Sequence, residues 1–394
     1  MPHQSITRRS FLRAAAAGAA GGLCACGAAS TALGVTPASI IIREPFDGAV
    51  LNRRHGKQTD QGLTIRVLCE ASADARVAVN GVACRREGQR FEADVLLREH
   101  ENDLEAVVDG GEKHRVRVVW DRYSEPRYRF SIDDNSFFLR DIAQKKYASL
   151  FDCFYLKMLR DLHQKYGVKF TVNIYYTTGD DFKLPQFPDR YKGQWRDNAD
   201  WMKLAFHAYA DQPARPYQDA PPEKLIADLD LVAAEIRRFA GEEAYAPPTV
   251  IHWGMTRHTA FKPLFARGVR VLSGYFARMN GRWDVNYRWD DATSAYLSRH
   301  DAWKDFQSGI VFSRVDIVCN NVALKHIADT LEPLSKDPNT AEIMDLFTHE
   351  QCFWPFYPNY IPDHPQRLDA AIRWVTEHGY KPVFFHEGFL GGQA

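Results

Sequence analysis

The sequence predicts an α/β protein: a (β/α) barrel preceded by a small all-β sandwich. Three observations lead to this fold class. The chain has 394 residues, of which roughly 355 remain after an N-terminal export signal, enough for two domains. Its first part shows the two-residue alternation of half-buried strands, and the part after about Tyr128 alternates strands with amphipathic helices. The predicted boundaries are 1–35 for the signal and linker, 39–122 for the sandwich and 125–394 for the barrel.

The N-terminus has the pattern of a twin-arginine signal peptide. Arg8 and Arg9 stand in Thr-Arg-Arg-Ser-Phe-Leu-Arg, and an Ala/Gly-rich, weakly apolar run follows from Ala14 to Leu23. Leu-Cys-Ala-Cys then resembles a lipobox with Cys26 as the lipidated residue, although ordinary cleavage in this Ala-rich region is an equal alternative. We therefore expect export by the twin-arginine route, to the periplasm or to the cell envelope. Membrane contact is expected only through a lipid at Cys26, because no later stretch approaches the ~20 apolar residues of a spanning helix.

Composition excludes one class of partner and leaves another open. Lys plus Arg and Asp plus Glu both number 50, so there is no basic surplus for nucleic acid. Aromatic residues make up 13% of the chain, which suits either a cleft that stacks on sugar rings or an ordinary large core. The cysteines outside the signal show no metal-knuckle or redox spacing. Cys69 and Cys84 are close enough in sequence to bridge within the first domain, but their spacing does not establish a disulfide.

The first domain consists of short strands with apolar residues at alternate positions. Val77 and Val79 lead into Asn80-Gly81, which is the strongest short-range signal for a hairpin. The segment resembles the immunoglobulin-like modules that precede catalytic domains in secreted carbohydrate-active enzymes. It holds no cluster of His, Asp or Glu at ligand spacing, so we expect a spacer or a substrate-presenting module.

The second domain has the pattern of repeated βα units. A helix is predicted over Pro222–Ala240 from the spacing of its apolar residues. Seven or eight such units form a barrel or a close relative of one, in which the chemistry lies at the carboxyl ends of the strands. The predicted strands are Arg127–Asp133, Lys169–Tyr175, Lys203–His207, Thr249–His252, Val269–Tyr275, Ile310–Val318, Glu342–Thr348 and Lys381–Phe385.

Five of these strand ends carry histidines or carboxylates. Any one His has an ordinary structural explanation, but convergence at one rim is harder to explain by packing, because Asp and Glu are rarely buried without a partner. Imidazole and carboxylate together suit a metal-assisted hydrolase, in which a base takes a proton from water and an acid protonates the leaving group. The residues in question are Asp133, Asp134, His207, Asp211, His252, His349, Glu350, His386 and Glu387.

The order of these motifs resembles the polysaccharide deacetylase family over about 125–390. Ile-Asp-Asp at Asp133 and Asp134 looks like the family's first motif, which implies that Asp133 is the general base and Asp134 a metal ligand. His207 with Asp211 looks like the second motif, which implies that both bind the metal. The Ile-His-Trp-Gly run around Trp253 looks like the third motif and implies a pocket wall, and His349 looks like the late His that acts as general acid.

Two departures from the family pattern affect the predicted site. Asp211 stands where the family has a second metal-binding His, and the Arg that orients the catalytic Asp is missing, with Arg257 as a candidate substitute. His252 is assigned to the surroundings of the substrate and is itself a further candidate ligand. The implied cofactor is a divalent metal, zinc first, although an oxygen-richer site would accept harder ions.

Two other functions remain open at the level of sequence. Glu350 or Glu387 with Asp133 would make the carboxylate pair of a glycoside hydrolase, although a salt bridge or the orientation of an imidazole is the better explanation of both glutamates. Alternatively, the altered motifs belong to a non-catalytic carbohydrate-binding surface protein. Asn173 and Tyr175 either line the mouth of the site or serve packing. The sequence specifies neither the sugar, the linkage nor the oligomeric state.

Overall fold

The computed structural model describes residues 40–390 except 73, 89, 109, 110 and 389. The predicted signal peptide and Cys26 lie outside the described residues. Among those residues the chain forms two compact units, one ending at Ser124 and the next beginning at Glu125.

The first unit contains two five-stranded sheets. One has the order β1-β4-β8-β7 with β3 also paired to β4, and the other has the order β2-β10-β9-β5-β6. All pairs are antiparallel except β2 with β10. The strands are β1 (Ile41–Glu44), β2 (Val50–Leu51), β3 (Gly56–Thr59), β4 (Gly62–Glu70), β5 (Val77–Val79), β6 (Val82–Ala83), β7 (Arg85–Glu87), β8 (Arg90–Leu97), β9 (Glu101–Val108) and β10 (Lys113–Trp120).

The predicted hairpin at Asn80-Gly81 is confirmed. Val79 pairs with Val82 across the turn, and Asn80 and Gly81 have φ of 48° and 81°. Both central residues of such a turn need a left-handed backbone, which Asn and Gly adopt most readily. Cys69 and Cys84 are free thiols in this unit. The resemblance of the unit to an immunoglobulin-like module stays a prediction.

The second unit combines parallel sheet with helices, as the α/β prediction requires. Its helices are α1 (Phe137–Lys145), α2 (Phe154–Tyr166), α3 (Lys192–Arg196), α4 (Pro222–Phe239), α5 (Phe261–Ala266), α6 (Asp291–Leu297), α7 (Ile327–Lys336), α8 (His364–Glu377) and α9 (Phe385–Gly388). Its strands are β11 (Arg127–Asn135), β12 (Phe170–Tyr175), β13 (Thr177–Thr178), β14 (Phe182–Lys183), β15 (Met202–Ala208), β16 (Val271–Gly274), β17 (Ala277–Met279), β18 (Arg282–Asp284), β19 (Ala302–Lys304), β20 (Val311–Arg314), β21 (Ile317–Val318), β22 (Ile343–His349) and β23 (Lys381–Pro382). Within the described part of the chain, no helix combines the length and apolar character that a membrane crossing demands.

The largest sheet has six parallel strands in the order β15-β12-β11-β22-β21, with β23 beside β11. Every residue of β11 and β12 is buried, which is typical of a parallel sheet covered on both faces. A second sheet has the order β16-β20-β19, and two small hairpins pair β13 with β14 and β17 with β18. The carboxyl ends of β11, β12, β15 and β22 therefore lie together at one edge of the main sheet.

The fourth predicted strand, Thr249–His252, is not a strand. Pro247 and Pro248 precede it and have no N–H to donate to a ladder. The chain instead reaches a 3₁₀ turn at His252–Gly254. A few backbone hydrogen bonds still attach this part of the chain to both sides. Leu204 N donates to Ala244 O (2.7 Å) and Ala246 N to Leu204 O (2.9 Å), just before the segment, and Ser273 N donates to Thr249 O (2.7 Å).

The last predicted strand, Lys381–Phe385, is also shorter than expected. Only Lys381 and Pro382 pair with β11, and Phe385 begins the short helix α9. Pro382 again cannot donate to a neighbouring strand. The regular barrel of seven or eight strands is thus replaced by two sheets that individual hydrogen bonds connect.

Candidate metal centre

The two adjacent carboxylates of the site lie where β11 ends. Asp134 has a φ of 62°, a left-handed conformation that costs a non-glycine residue of order 1 kcal/mol. Successive side chains of a regular strand point to opposite faces, and the left-handed residue interrupts that alternation. Asp133 and Asp134 are both buried at this edge of the sheet. The left-handed backbone at Asp134 therefore allows the two neighbouring carboxylates to lie together in one buried region.

Asp134 faces two histidines from other parts of the chain. Its Oδ1 lies 3.2 Å from His207 Nε2 on β15 and 3.5 Å from His252 Nδ1 in the 3₁₀ turn. The two ring nitrogens are 3.0 Å apart. Asp134, His207 and His252 are all buried and form a group whose ligand atoms lie within 4.8 Å of one another.

The dimensions of this triangle fit a small metal ion. Ligands about 2.0–2.1 Å from a tetrahedral zinc ion lie roughly 3.3 Å from each other. The three observed separations of 3.0, 3.2 and 3.5 Å bracket that value. Two imidazole nitrogens and one carboxylate oxygen also form the donor set that zinc and ferrous iron use. The residues present therefore fit a divalent ion, and they leave its identity open.

The candidate ligands that lie together in the structure differ from the predicted ligand set at one position. His252 completes the cluster, and Asp211 does not belong to it. Residues four apart share one face in a helix or in an unbroken strand, but β15 ends at Ala208 and the chain leaves the sheet toward Pro213. Asp211 lies beside the cluster, with its Oδ1 3.3 Å from the hydroxyl of Tyr175.

Tyr287 holds the turn that presents His252. Its hydroxyl donates to Ser273 O (2.8 Å) and accepts from Ile251 N (3.2 Å), and its backbone N donates to Gly254 O (2.7 Å). Gly254 is required here, because it has a φ of 55° and a Cβ would lie 2.8 Å from a methyl carbon of Val285. The position of the His252 ring thus depends on a buried tyrosine 35 residues further along the chain.

Removing the hydroxyl of Tyr287 should weaken both the fold and the metal site. We expect Tyr287→Phe to lower the free energy of unfolding by about 1–2 kcal/mol, because the Ser273 carbonyl and the Ile251 N–H each lose a buried hydrogen bond. Zinc affinity should fall with it, as His252 becomes less well fixed. Urea denaturation and zinc titration measure the two effects. Tyr296→Phe, in α6 and stacked on His300, is the control, and equal zinc affinities in the two variants would contradict the prediction.

Asp133 and His349 flank the cluster on adjacent strands. They are directly paired in the register of β11 and β22. Asn173 Nδ2 donates to Asp133 Oδ1 (2.6 Å), and His349 Nδ1 is 3.0 Å from Asn320 Oδ1. Because an amide oxygen only accepts, this contact places a hydrogen on Nδ1 and turns Nε2 toward the site, 3.9 Å from Asp134 Oδ2. The His349 side chain is 24% exposed, so it is reachable from solvent.

Glu350 is a helix cap. Its carboxylate accepts from the backbone N–H groups of Ser136 (2.7 Å), Phe137 (2.9 Å) and Phe138 (2.6 Å), at the start of α1, and from Trp354 Nε1 (3.1 Å). These N–H groups have no partner inside the helix. Burial raises the pKa of Glu350 to about 7, opposed by the same hydrogen bonds. The carboxylate fixes the segment just after Asp134 and is not presented to a substrate.

The raised pKa of Glu350 predicts a pH-dependent stability difference. The unfolded chain ionises near the ordinary value of 4.5, before the folded protein does near 7, so the wild type loses stability as pH rises between these values. Gln does not titrate. The advantage of the wild type over Glu350→Gln should therefore be greatest below pH 4.5 and shrink by up to about 3 kcal/mol by pH 7. Urea denaturation across this pH range tests the prediction, with Glu387→Gln, at an exposed position, as the control. A difference in the free energy of unfolding between wild type and Glu350→Gln that grows with pH would contradict it.

Glu387 and Arg257 do not lie where the sequence places them. Glu387 follows β23, which pairs with the amino end of β11, the end opposite Asp133, and its Oε1 lies 3.5 Å from His386 Nε2. Arg257 is exposed, and its guanidinium donates to the backbone carbonyl of Asp219. Asn173 makes the hydrogen bond to Asp133 that was expected from an arginine.

Trp253 lies beside the cluster as the half-buried neighbour of His252. Its ring centroid is 6.1 Å from that of His252, and the Arg215 guanidinium lies 4.8 Å above it. Arg215 is held by a bidentate pair with Asp284, at 2.7 and 2.6 Å. An aromatic wall next to the metal ligands is thus fixed in place by a cation that is itself anchored.

Asn173 and Tyr175 contact the two carboxylates of the site, whereas the sequence left open whether they line its mouth or serve packing. They stand two residues apart on β12, so they share one face, and that face meets Asp133 and Asp134: Tyr175 donates its hydroxyl hydrogen to Asp134. The alternation within β12 was the signal that could have placed both in the site. Asn320 and Tyr287 gave no such signal, because each reaches the site from a segment without a local motif.

The comparisons with known proteins describe a distant likeness. The sequence matches no family model, and no curated protein matches it. Among solved structures, the chain is similar to a peptidoglycan N-acetylglucosamine deacetylase (12% identity, 66% of this chain and 86% of that one, TM-score 0.35). It is also similar to a family 4 acetyl xylan esterase from Clostridium thermocellum with bound cobalt (13%, 65% and 86%, TM-score 0.33). A third is a pseudoenzyme of the CE4 family from Bacillus anthracis (10%, 66% and 64%, TM-score 0.33). Likenesses at this level assign no activity to this chain.

Proposed function

We propose that this protein is an exported, metal-dependent carbohydrate deacetylase that hydrolyses acetyl amides or esters. The observation that carries the proposal is the buried triangle of Asp134, His207 and His252 with Asp133 and His349 on adjacent strands beside it. The order of the motifs along the chain, which resembles that of the polysaccharide deacetylases, supports the same function.

The residues around the triangle divide the chemistry of hydrolysis. When bound, a divalent ion supplies polarisation of the acetyl carbonyl and acidification of a water molecule. Asp133 takes the water's proton at its carboxylate, which Asn173 holds in place through Oδ1. His349 takes up a proton at Nε2 from solvent, to which its side chain is 24% exposed, and gives it to the leaving nitrogen or oxygen, with its ring oriented by Asn320. Trp253 supplies an apolar surface at the edge of the site.

The positions of the two glutamates argue against a glycoside hydrolase. Such enzymes need two carboxylates that flank one bond, about 5–9.5 Å apart. Glu350 is buried and accepts four hydrogen bonds from groups of the protein. Glu387 is at the opposite end of β11 from Asp133. Neither can form the required pair with Asp133.

Metal content and acetate release test the proposal together. The purified protein should contain close to one equivalent of a divalent ion, and it should release acetate from at least one acetylated glycan in a panel of N-acetyl and O-acetyl substrates. Chelation should abolish release, and readdition of metal should restore it. A folded protein that binds no metal and releases no acetate would refute the deacetylase; glycan binding unaffected by Asp133→Asn would then favour the non-catalytic carbohydrate-binding protein.

We propose the export route from the N-terminal sequence. Replacing Arg8 and Arg9 with lysine should retain the protein inside the cell, because the paired arginines are what the pathway recognises. Cys26→Ser should release the protein from the membrane fraction if Cys26 is lipidated. Cell fractionation measures both, with Arg13→Lys as the matched control. Export of the double lysine variant at the wild-type level would contradict the twin-arginine assignment.

A further inference from the structure

A polar pocket lies on the segments that follow His252 and Tyr287. Its volume is about 350 Å³, and its lining is formed by four exposed residues: Asp219, Arg257, His258 and Arg288. Two guanidinium groups and one carboxylate give this lining a net charge of +1 when its histidine is neutral. Arg257 comes five residues after His252, so the Cα atoms of the two are at most about 18 Å apart. The pocket therefore lies within reach of a glycan chain bound at the metal centre.

Both guanidinium groups of the pocket are held by the same two residues. Arg288 Nη1 donates to Gln218 O (2.8 Å) and to Asp219 Oδ1 (2.8 Å), and Arg257 Nη2 donates to Asp219 O. A guanidinium has five N–H groups. Among the described residues, the Nε and Nη2 groups of Arg288 and the Nε and Nη1 groups of Arg257 have no acceptor. Each fixed guanidinium can therefore still donate to a carboxylate, whose geometry matches the planar N–H fork.

The segment that carries Arg288 has a restrained backbone. Val285, Tyr287 and Arg288 have φ of 51°, 52° and 62°, and such left-handed conformations persist only where the surrounding contacts impose them. His258 is fixed to the same segment, because its Nε2 lies 3.1 Å from Tyr287 O and its ring centroid 4.2 Å from that of Trp289. The pocket is therefore formed before a ligand arrives, which lowers the cost of binding one.

A series of contacts connects the pocket to the metal centre. Trp253, next to His252, lies under the Arg215 guanidinium, which is 4.8 Å from its ring centroid. Arg215 Nη1 is 3.2 Å from Gln218 Oε1, and the carbonyl of Gln218 accepts from Arg288. A glycan whose acetyl group lies at the metal can therefore extend past Trp253 to the pocket.

We propose that this pocket binds a carboxylate of the glycan, so that the substrate class of the deacetylase is an acetylated acidic polysaccharide. The assignment of the glycan as a substrate rests on the proposed function, whereas carboxylate binding itself requires no catalysis. The net charge of +1 matches a singly charged group. Since the carboxylate is remote from the acetyl group that reacts, the pocket binds the ground state and the transition state equally. It should therefore lower KM for acidic substrates with little effect on kcat.

Calorimetry with acetyl-free oligogalacturonate tests carboxylate binding apart from catalysis. The wild type should bind this ligand, and the double variant Arg257→Gln with Arg288→Gln should bind it about tenfold more weakly or worse, because charge-assisted hydrogen bonds are lost. Asp219→Asn keeps an oxygen that can accept from Arg288 but loses the negative charge, so it should bind the ligand severalfold more tightly. The matched control is Arg299→Gln, because Arg299 is also exposed and donates to a backbone carbonyl, that of Ala295 (3.3 Å), but does not line the pocket.

Acetate release from paired substrates tests the consequence for the reaction. Hyaluronan and chitin oligosaccharides both carry N-acetyl groups, but only hyaluronan carries carboxylates. Acetylated pectin and acetylated glucomannan give the same comparison for acetyl esters. In whichever pair is hydrolysed, the wild type should have the lower KM for the acidic member. The double arginine variant should lose this advantage while kcat stays unchanged.

The outcomes separate this inference from the proposed function. Equal binding of oligogalacturonate by the wild type and the double variant overturns the carboxylate pocket, and tighter binding of a sulfated oligosaccharide without carboxylates overturns the choice of anion. Carboxylate binding that depends on the two arginines, in a protein that releases no acetate, supports the pocket and refutes the deacetylase. Acetate release with equal KM for acidic and neutral substrates refutes the acidic substrate class and leaves the deacetylase standing.

One comparison needs only the wild type and keeps the proposal refutable if a variant fails to fold. Oligogalacturonate should bind more tightly than a neutral oligosaccharide of equal length, and this preference should shrink as the salt concentration rises, because exposed charges are screened. Equal affinities at low salt would overturn the proposal.

Discussion

Replacing His252 with alanine is expected to abolish stable metal binding, whereas replacing Asp211 with alanine should only weaken it. His252 Nδ1 is one of three ligand atoms in the triangle, 3.0 Å from His207 Nε2 and 3.5 Å from Asp134 Oδ1. Asp211 lies outside the triangle, and its Oδ1 is 3.3 Å from the hydroxyl of Tyr175. Loss of a group that acts through a ligand costs about 10–100-fold in metal affinity. The decrease in metal affinity caused by removing His252 itself should exceed that range.

The comparison is made by zinc titration of apoprotein together with metal analysis after dialysis. His252→Ala should emerge without metal, and Asp211→Ala should retain close to one equivalent at a lower affinity. Circular dichroism and thermal unfolding establish that both variants are folded, and Arg257→Ala, on the same segment but exposed, serves as the unaffected control. Retention of metal by His252→Ala with its loss in Asp211→Ala would restore the ligand set predicted from the sequence.

His252 shows where prediction from local sequence patterns stops. Asp133, Asp134, His207 and His349 all lie at the carboxyl ends of strands that the apolar pattern predicts, and parallel strands bring these ends to one edge. His252 follows a segment that is not a strand, and its place depends on a left-handed turn and on Tyr287. Those contacts connect distant parts of the chain, so no local sequence pattern predicts them.

The role of Glu350 also depends on contacts between distant parts of the chain. A carboxylate beside a histidine at a strand end suggests chemistry, yet three of its four hydrogen-bond donors are backbone N–H groups more than 200 positions earlier in the chain. The shared orientation of Asn173 and Tyr175 could have been predicted, because alternation alone puts both side chains on one face of β12. What the sequence lacks is the identity of the strands next to β12, and only the sheet order supplies it.

Replacing Asp133 with asparagine is expected to remove most of the activity while leaving the metal in place. Asp133 is not part of the ligand triangle, and asparagine keeps an oxygen that can accept the hydrogen bond from Asn173. What it loses is the ability to take a proton from water. A positioned general base contributes about 10²–10⁴-fold to rate, so kcat should fall by that factor with little change in KM.

The measurement pairs acetate release with metal analysis on the same preparations. Asp133→Asn should hold close to one equivalent of metal and turn over slowly, whereas Asp134→Asn should lose both metal and activity, because Asp134 Oδ1 is itself a ligand atom. This result would assign different roles to two adjacent carboxylates of identical chemistry: general base for Asp133 and metal ligand for Asp134. Activity of Asp133→Asn within tenfold of the wild type would show that another group takes the proton, and loss of metal from it would place Asp133 among the ligands. The left-handed backbone at Asp134 is what makes the division possible, since it lets two successive residues reach one site with different partners.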